Sequence, residues 1–336
     1  MAIDSTDISK NIFSITASQF EDTALAIFRY QYLHNKIYQQ FCALLKKNTD
    51  NVNHIKDIPF LPIQFFKTKE VCSTAFKPEI IFESSGTTGS INSKHFVKSV
   101  AVYEESFLKA FGFFFGNVND FCVIGLLPSY LERQHSSLVY MVNELIKKSA
   151  NPKSGFYLYN YDDLKATLLK NEKAKQQTLL IGVTYALLDF AEQNNMNLQH
   201  AIVMETGGMK GRRAELTRET VHQILKQRLG INEVNSEYGM TELLSQAYAK
   251  QNGIFNCPPW MQVFIRAADD PFDLTNSTNV KTEFVAGGIN IIDLANINSC
   301  SFIATDDIGK LYANNSFEVI GRLDNSDIRG CGLMIT

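Results

Sequence analysis

Residues 82–95 read Phe82-Glu83-Ser84-Ser85-Gly86-Thr87-Thr88-Gly89-Ser90-Ile91-Asn92-Ser93-Lys94-His95. A strand-like EIIF (79–82) runs directly into this stretch of hydroxyl side chains with two glycines. Backbone N–H groups and hydroxyls in such a loop can wrap polyphosphate oxygens, with Lys94 close by to neutralise them. A Walker A loop would end in Gly-Lys-Ser/Thr, whereas here Ser93 precedes Lys94 and His95 follows it, so the ordinary P-loop is excluded. Polar turns favour the same residue types, so the loop takes its meaning from its surroundings.

Downstream of the loop, short apolar runs alternate with amphipathic stretches. FCVIGLL (121–127), TLLIG (178–182) and HAIVME (200–205) read as strands, and helices are expected around 101–115, 136–149, 184–195 and 214–229. That alternation predicts α/β layering on a largely parallel sheet. Beyond about residue 254 the texture becomes strand, turn, strand (MQVFIRA, KTEFVAG, INIIDL, SFIAT, FEVIG), which predicts a smaller antiparallel β lobe. Upstream, SQFEDTALAIFRYQYLHNKIYQQFCALLKK reads as helix with Ser18 as N-cap and Glu21 three residues on. IPFLPIQFF, with Pro59 and Pro62, must then run extended. The expected organisation is a packing segment (1–78), an α/β nucleotide-binding core (79–253), the antiparallel lobe (254–323) and a short tail (324–336) carrying Cys331.

The chain has 336 residues, 45% of them apolar and 20% charged, enough for a substantial core. Lys and Arg total 32 against 35 Asp and Glu, a net −3 that supplies no global field for nucleic acid or anionic lipid. The six cysteines show no CxxC pairing and read as reduced thiols. The start MAIDSTDISK lacks a signal sequence and no apolar run reaches membrane-spanning length, so the expectation is a cytoplasmic protein without a membrane span. The aromatic run Phe111-Gly112-Phe113-Phe114-Phe115 sits at helical spacing and reads as core.

Three further clusters carry chemistry. Ser236-Glu237-Tyr238-Gly239-Met240-Thr241-Glu242 sets an aromatic ring, a glycine, a hydroxyl and a carboxylate together, a set that can serve adenine stacking, phosphate contact and Mg²⁺ ligation. Met204-Glu205-Thr206-Gly207-Gly208 ends a strand in a diglycine, at the sheet edge where α/β proteins bind ligands. Thr305-Asp306-Asp307-Ile308-Gly309, with Gly321-Arg322-Leu323-Asp324 after it, offers acceptors for ribose hydroxyls and a cation for phosphate.

In this order, SSGTTG, diglycine, YGMTE, TDDIG and GRxD resemble the adenylate-forming superfamily of acyl-CoA synthetases, luciferase-like enzymes and peptide-synthetase adenylation domains. With IPFLPIQFFK (58–67), LPSYLERQHSSLVYMV (127–142) and the terminal RGC, the chain most resembles the LuxE-type acyl-protein synthetases. The resemblance implies ATP and Mg²⁺ as cofactors. It gives Ser84, Ser85, Gly86, Thr87, Thr88 and Gly89 the ATP phosphates, with Lys94 in support. Gly207 and Gly208 would flank the adenine slot, Tyr238 would stack on the base and Gly239 would let it approach. Thr241 would contact the α-phosphate, Glu242 the Mg²⁺, and Asp307 with Arg322 the ribose.

The implied reaction is activation of a long-chain fatty acid, or another carboxylic acid, to acyl-AMP. Transfer to a thiol follows, which the resemblance assigns to Cys331 for delivery to a partner such as a fatty acid reductase. His135, in a polar stretch before Ser136 and Ser137, is a candidate for the acid pocket. Members of the superfamily commonly carry a further C-terminal lobe with a lysine that assists adenylation. Only residues 325–336 follow Asp324, so that lobe is expected to be absent. Two other readings stay open: a ligase that hands the acyl group to CoA or an acyl carrier protein, and a nucleotide-binding module without catalysis.

Overall fold

The computed structural model describes residues 11–84, 91–127, 135–207 and 216–323. Ser85, Gly86, Thr87, Thr88, Gly89, Gly208 and Cys331 lie outside the described residues. Helices α1 (Phe20–His34) and α2 (Lys36–Leu44) open the chain, followed by β1 (Leu61–Pro62), the short α3 (Phe65–Thr68) and the hairpin β2 (Ile80–Glu83) and β3 (Lys94–Val97). Next come α4 (Val100–Phe115), β4 (Cys122–Leu126), α5 (Ser137–Ser149), β5 (Gly155–Phe156), α6 (Tyr161–Lys173), β6 (Thr178–Gly182), α7 (Thr184–Gln193), β7 (Ala201–Glu205), α8 (Arg218–Leu229) and β8 (Val234–Tyr238). Strands then dominate: β9 (Ala247–Ala249), β10 (Phe255–Asn256), β11 (Met261–Arg266), β12 (Leu274–Thr275), β13 (Phe284–Asp293), β14 (Phe302–Tyr312) and β15 (Phe317–Arg322).

Among the described residues one sheet runs β12-β11-β13-β14-β15-β10-β9-β8-β7-β6-β4-β5, with β1 joined to β14. β5, β4, β6, β7 and β8 are mutually parallel, and the direction reverses at β9. β4 and β6 are buried along their whole length, which explains why both read as unbroken apolar runs. Because the parallel strands share one direction, β6, β7 and β8 end at the same edge and present Gly182, Thr206-Gly207 and Gly239 there. The antiparallel strands are hydrogen-bonded into the same sheet through β15, β10 and β9.

Three local expectations change. The first cap is Thr16, whose side chain and backbone exchange hydrogen bonds with Gln19, and Ser18 falls inside that 3-10 turn. Glu21, freed from a capping role, accepts the Ile55 N–H at 3.0 Å. The expected single helix breaks at Asn35, whose Oδ1 accepts from the Tyr38 N–H to start α2 while its Nδ2 donates to the Ser299 carbonyl. The Phe111–Phe115 run is only partly core: Phe111 is buried, but Phe113 is 64% exposed. Among the described residues no helix is long and apolar enough to cross a membrane, and the described cysteines are free thiols.

Candidate active site

The strand ends converge on a cleft of about 660 Å³. Of the residues singled out from the sequence, Ser84, Gly207, Gly239, Thr241, Glu242, Asp307 and Arg322 line it. They arrive from β2, β7, β8, β14 and β15, so the topology brings together clusters that the sequence keeps far apart.

Strands β2 and β3, which flank residues 85–90, pair antiparallel, and Ser84 and Ser93 extend that pairing. Ser84 N donates to the Ser93 carbonyl at 3.0 Å and Ser93 N donates to Ser84 Oγ at 2.8 Å. Lys94 faces Glu83 across the ladder, with Nζ 3.5 Å from Glu83 Oε1. The alternation along β3 turns its neighbour His95 inward, where it is 1% exposed. His95 Nδ1 lies 2.9 Å from the Thr241 carbonyl and Nε2 lies 2.9 Å from Ser299 Oγ. A carbonyl only accepts, so Nδ1 carries the proton and Nε2 accepts from the serine hydroxyl. Burial pushes the His95 imidazole down to about 4, which keeps it neutral. One neutral histidine thus ties the hairpin to the segment bearing Thr241 and Glu242.

A second tether holds the same segment from below. The fully buried Asp293 accepts from Leu244 N, Ser245 N, Ser245 Oγ and Ala295 N at 2.6–3.0 Å. Asn296 Nδ2 donates to the Glu242 carbonyl at 2.7 Å. Glu242 itself is 5% exposed and faces the cleft. Burial raises its carboxyl, and the Ser93 hydroxyl only partly offsets this. Among the described residues no group of three or more His, Cys, Asp or Glu is arranged to hold a metal ion. Magnesium, however, commonly takes one or two protein carboxylates together with substrate phosphates, and Glu242, a buried carboxylate facing the cleft, fits that demand.

At the other end of the cleft, Tyr238 Oη donates to Asp307 Oδ2 at 2.7 Å and Arg322 Nε stands 3.3 Å from Asp307 Oδ1. Burial raises the Asp307 carboxyl while Tyr238 and Arg322 pull it down. The Tyr238 ring packs against Phe255 and Phe317, at centroid distances of 5.8 and 5.5 Å, and Gly239, not Tyr238, forms the described wall. Asp306 also lines the cleft but is bound by Gln64 Nε2. Asp307 is therefore the member of the pair joined to both Tyr238 and Arg322. His135 is exposed and does not belong to the described wall, which its neighbours Ser136 and Ser137 form. The His135 carbonyl accepts the Glu83 N–H, and Ser136 caps α5.

Several residues of consequence escaped the sequence reading. Glu205, at the end of β7, is buried, but donors prevail over burial and hold its carboxyl below the usual range. Thr184 Oγ1 donates to it at 2.9 Å and Gly207 N at 2.7 Å, which fixes Gly207 at φ +73°, a conformation suited to glycine. Glu237 lines the cleft beside it; burial and the Glu205 charge push its carboxyl up to about 8. Lys67, from α3, reaches the cleft wall near Glu242. Strand alternation on β3 and β8 was the only signal that could have singled out His95 or Glu237.

A family model described as acyl-protein synthetase, LuxE, matches residues 13–336. Among solved structures, the luciferase-like enzyme of the nonluminescent mealworm Zophobas morio is similar at 14% identity and TM-score 0.51, over 78% of this chain and 61% of that one. ATP-bound MatB from Rhodopseudomonas palustris is similar at 16% identity and TM-score 0.53, over 74% of this chain and 50% of that one. At these identities the likeness is one of fold, that of the adenylate-forming enzymes. The chain spans between half and two thirds of the length of these structures. No curated protein matches the sequence.

Proposed function

The chain belongs to the acyl-protein synthetase (LuxE) family, and from that premise we propose that its cleft is the site where ATP activates a carboxylic acid of the fatty-acid class. The observation that carries the reading is the convergence of Ser84, Gly207, Gly239, Thr241, Glu242, Asp307 and Arg322 on one cleft at the carboxyl ends of the parallel strands.

In this reading Asp307 accepts the ribose hydroxyls, oriented by Tyr238 and flanked by Arg322. Thr241 offers its hydroxyl to the α-phosphate, and the Ser84 hairpin loop takes the outer phosphates with Lys94 as a nearby cation. Glu242 would hold Mg²⁺, which when bound to phosphate oxygens screens their charge. A carboxylate oxygen attacks the α-phosphorus, the bond to the pyrophosphate oxygen breaks, and acyl-AMP and pyrophosphate result. The His95 and Asp293 tethers keep Thr241 and Glu242 fixed during this step, so that no reorganisation is needed as charge develops.

The acyl group then passes to a thiol. We assign this to Cys331, set between Gly330 and Gly332 and preceded by Arg329, a neighbour that favours the thiolate. The thiolate attacks the acyl carbon, AMP leaves with its electron pair, and a thioester forms that a reductase or an acyl carrier protein can collect. Incubation with ATP, Mg²⁺ and a labelled fatty acid tests the assignment. Cys331→Ala should retain pyrophosphate exchange and lose the thioester-labelled band. A band that survives the substitution transfers the role to another thiol.

A further inference from the structure

Side chains alternate along a strand, so on β8 Tyr238 turns towards Asp307 while Glu237 turns the other way and lines the cleft, as do Tyr103 of α4 and Ser137 and Met141 of α5. Asp307 and Arg322, read above as ribose ligands, go with Tyr238, which leaves the Glu237 side for the acyl portion of the acid.

The Glu237 side of the cleft is not the apolar tunnel that a hydrocarbon chain would call for. Gln246 lines it, is 3% exposed, and its Oε1 has no hydrogen-bond partner among the described residues. No described residue donates a hydrogen bond to the Glu237 carboxyl either. The two groups sit side by side over Gly239: a Cβ there would collide with Glu237 Oε1 and come within 3.3 Å of Gln246 Cγ. Glycine at 239 therefore leaves room for the carboxyl to lie along the cleft wall. With Glu205 behind it, the Glu237 carboxyl keeps its proton near neutrality, so it can both donate and accept a hydrogen bond, as can the Gln246 amide. A saturated chain would leave Gln246 Oε1 unpaired, which costs roughly tenfold or more in affinity. A hydroxyl, being donor and acceptor at once, satisfies both Gln246 and Glu237.

We propose that the acid activated by this protein is a hydroxylated one, its hydroxyl bound between Glu237 and Gln246, and not an unsubstituted fatty acid. The inference rests on the adenylation reading above. It is tested by acid-dependent ATP–pyrophosphate exchange, using plain acids and chain-matched partners with the hydroxyl at successive positions. For at least one position, kcat/KM should exceed that of the plain acid by about tenfold or more. Glu237→Met and Gln246→Met, each checked for a wild-type-like unfolding transition, should bring that ratio towards one, and Glu237→Gln, which still hydrogen-bonds, should keep it. Plain acids preferred throughout by the wild type, or a preference that survives both methionine substitutions, overturns the inference alone. Exchange with none of the acids overturns the adenylation reading and the inference with it.

Discussion

His95 gives the sharpest stability prediction. Its imidazole is buried, neutral, and bonded on both sides, to the Thr241 carbonyl and to Ser299 Oγ. Folding lowers the proton affinity from about 6.5 in an unfolded chain to about 4. The unfolded state therefore binds the extra proton, so the stability His95 contributes is full above about 6.5 and is lost as pH falls towards 4. The shift corresponds to about 3 kcal/mol. Protonation would also place a second N–H against the Ser299 hydroxyl, which would then have to turn and accept. His95→Asn isolates the effect: its Nδ2 stands where Nδ1 stood and can still donate to Thr241, but it does not titrate. Denaturant unfolding of wild type and variant should show the wild-type advantage at about pH 7 shrinking by about 3 kcal/mol at the acid end of the range. Parallel stability curves for the two proteins would refute the reasoning, since carboxylates elsewhere titrate alike in both.

Glu237 carries the opposite sign. Its folded carboxyl titrates near 8, above the ordinary glutamate range, so the folded protein must retain a proton that the unfolded chain has released. Glu237→Gln should therefore stabilise the protein by about 2 kcal/mol at neutral pH, read as a higher denaturant midpoint; an unchanged or lower midpoint contradicts this. Asp293→Ala strands the Ser245 and Ala295 N–H groups in the core, while Leu244 N keeps Asn296 Oδ1 and the Ser245 hydroxyl keeps Ser106 Oγ, and should cost about 3 kcal/mol, seen as a fall in Tm. A loss under about 1 kcal/mol would mean that the network relaxes. Tyr238→Phe removes the donor that orients Asp307, and KM for ATP should rise by about tenfold with the fold intact. An unchanged KM would detach that pair from nucleotide binding.

The sequence made the parallel half of the sheet legible because its strands are buried on both faces. TLLIG at 178–182 is a strand over those same residues, since an apolar run of that length between turn signals has few other homes. The antiparallel half was harder. KTEFVAG and INIIDL look like two strands parted by Gly287-Gly288, yet β13 runs through both, with a bulge at Gly288/Asn290. The glycines serve contact, not a turn: a Cβ on Gly288 would meet the Arg266 guanidinium, which bonds the Ile289 and Thr305 carbonyls.

Site residues followed the same division. The order of motifs pointed to Thr241, Glu242, Asp307 and Arg322, and these residues share one cleft. What surrounds them depends on register. The sequence marked Tyr238 as an aromatic able to stack on a base, but not that Phe255, Phe317 and Asp307 surround it. Glu205 comes within electrostatic reach of Glu237 because β7 pairs it with Ser236, the residue before Glu237 on β8. Pairing across strands so distant in sequence leaves no mark in local pattern, which is why the partners of Glu205, Glu237 and His95, and the Asp293 network, were visible only in three dimensions.

Exchange of labelled pyrophosphate into ATP tests the central claim most directly. The wild type should catalyse exchange that depends on both Mg²⁺ and an added carboxylic acid. Asp307→Ala and Glu242→Gln, each shown to be folded, should lose most of it. Absence of exchange with every acid tried, or exchange untouched by both substitutions, would contradict the assignment of this cleft to acid activation.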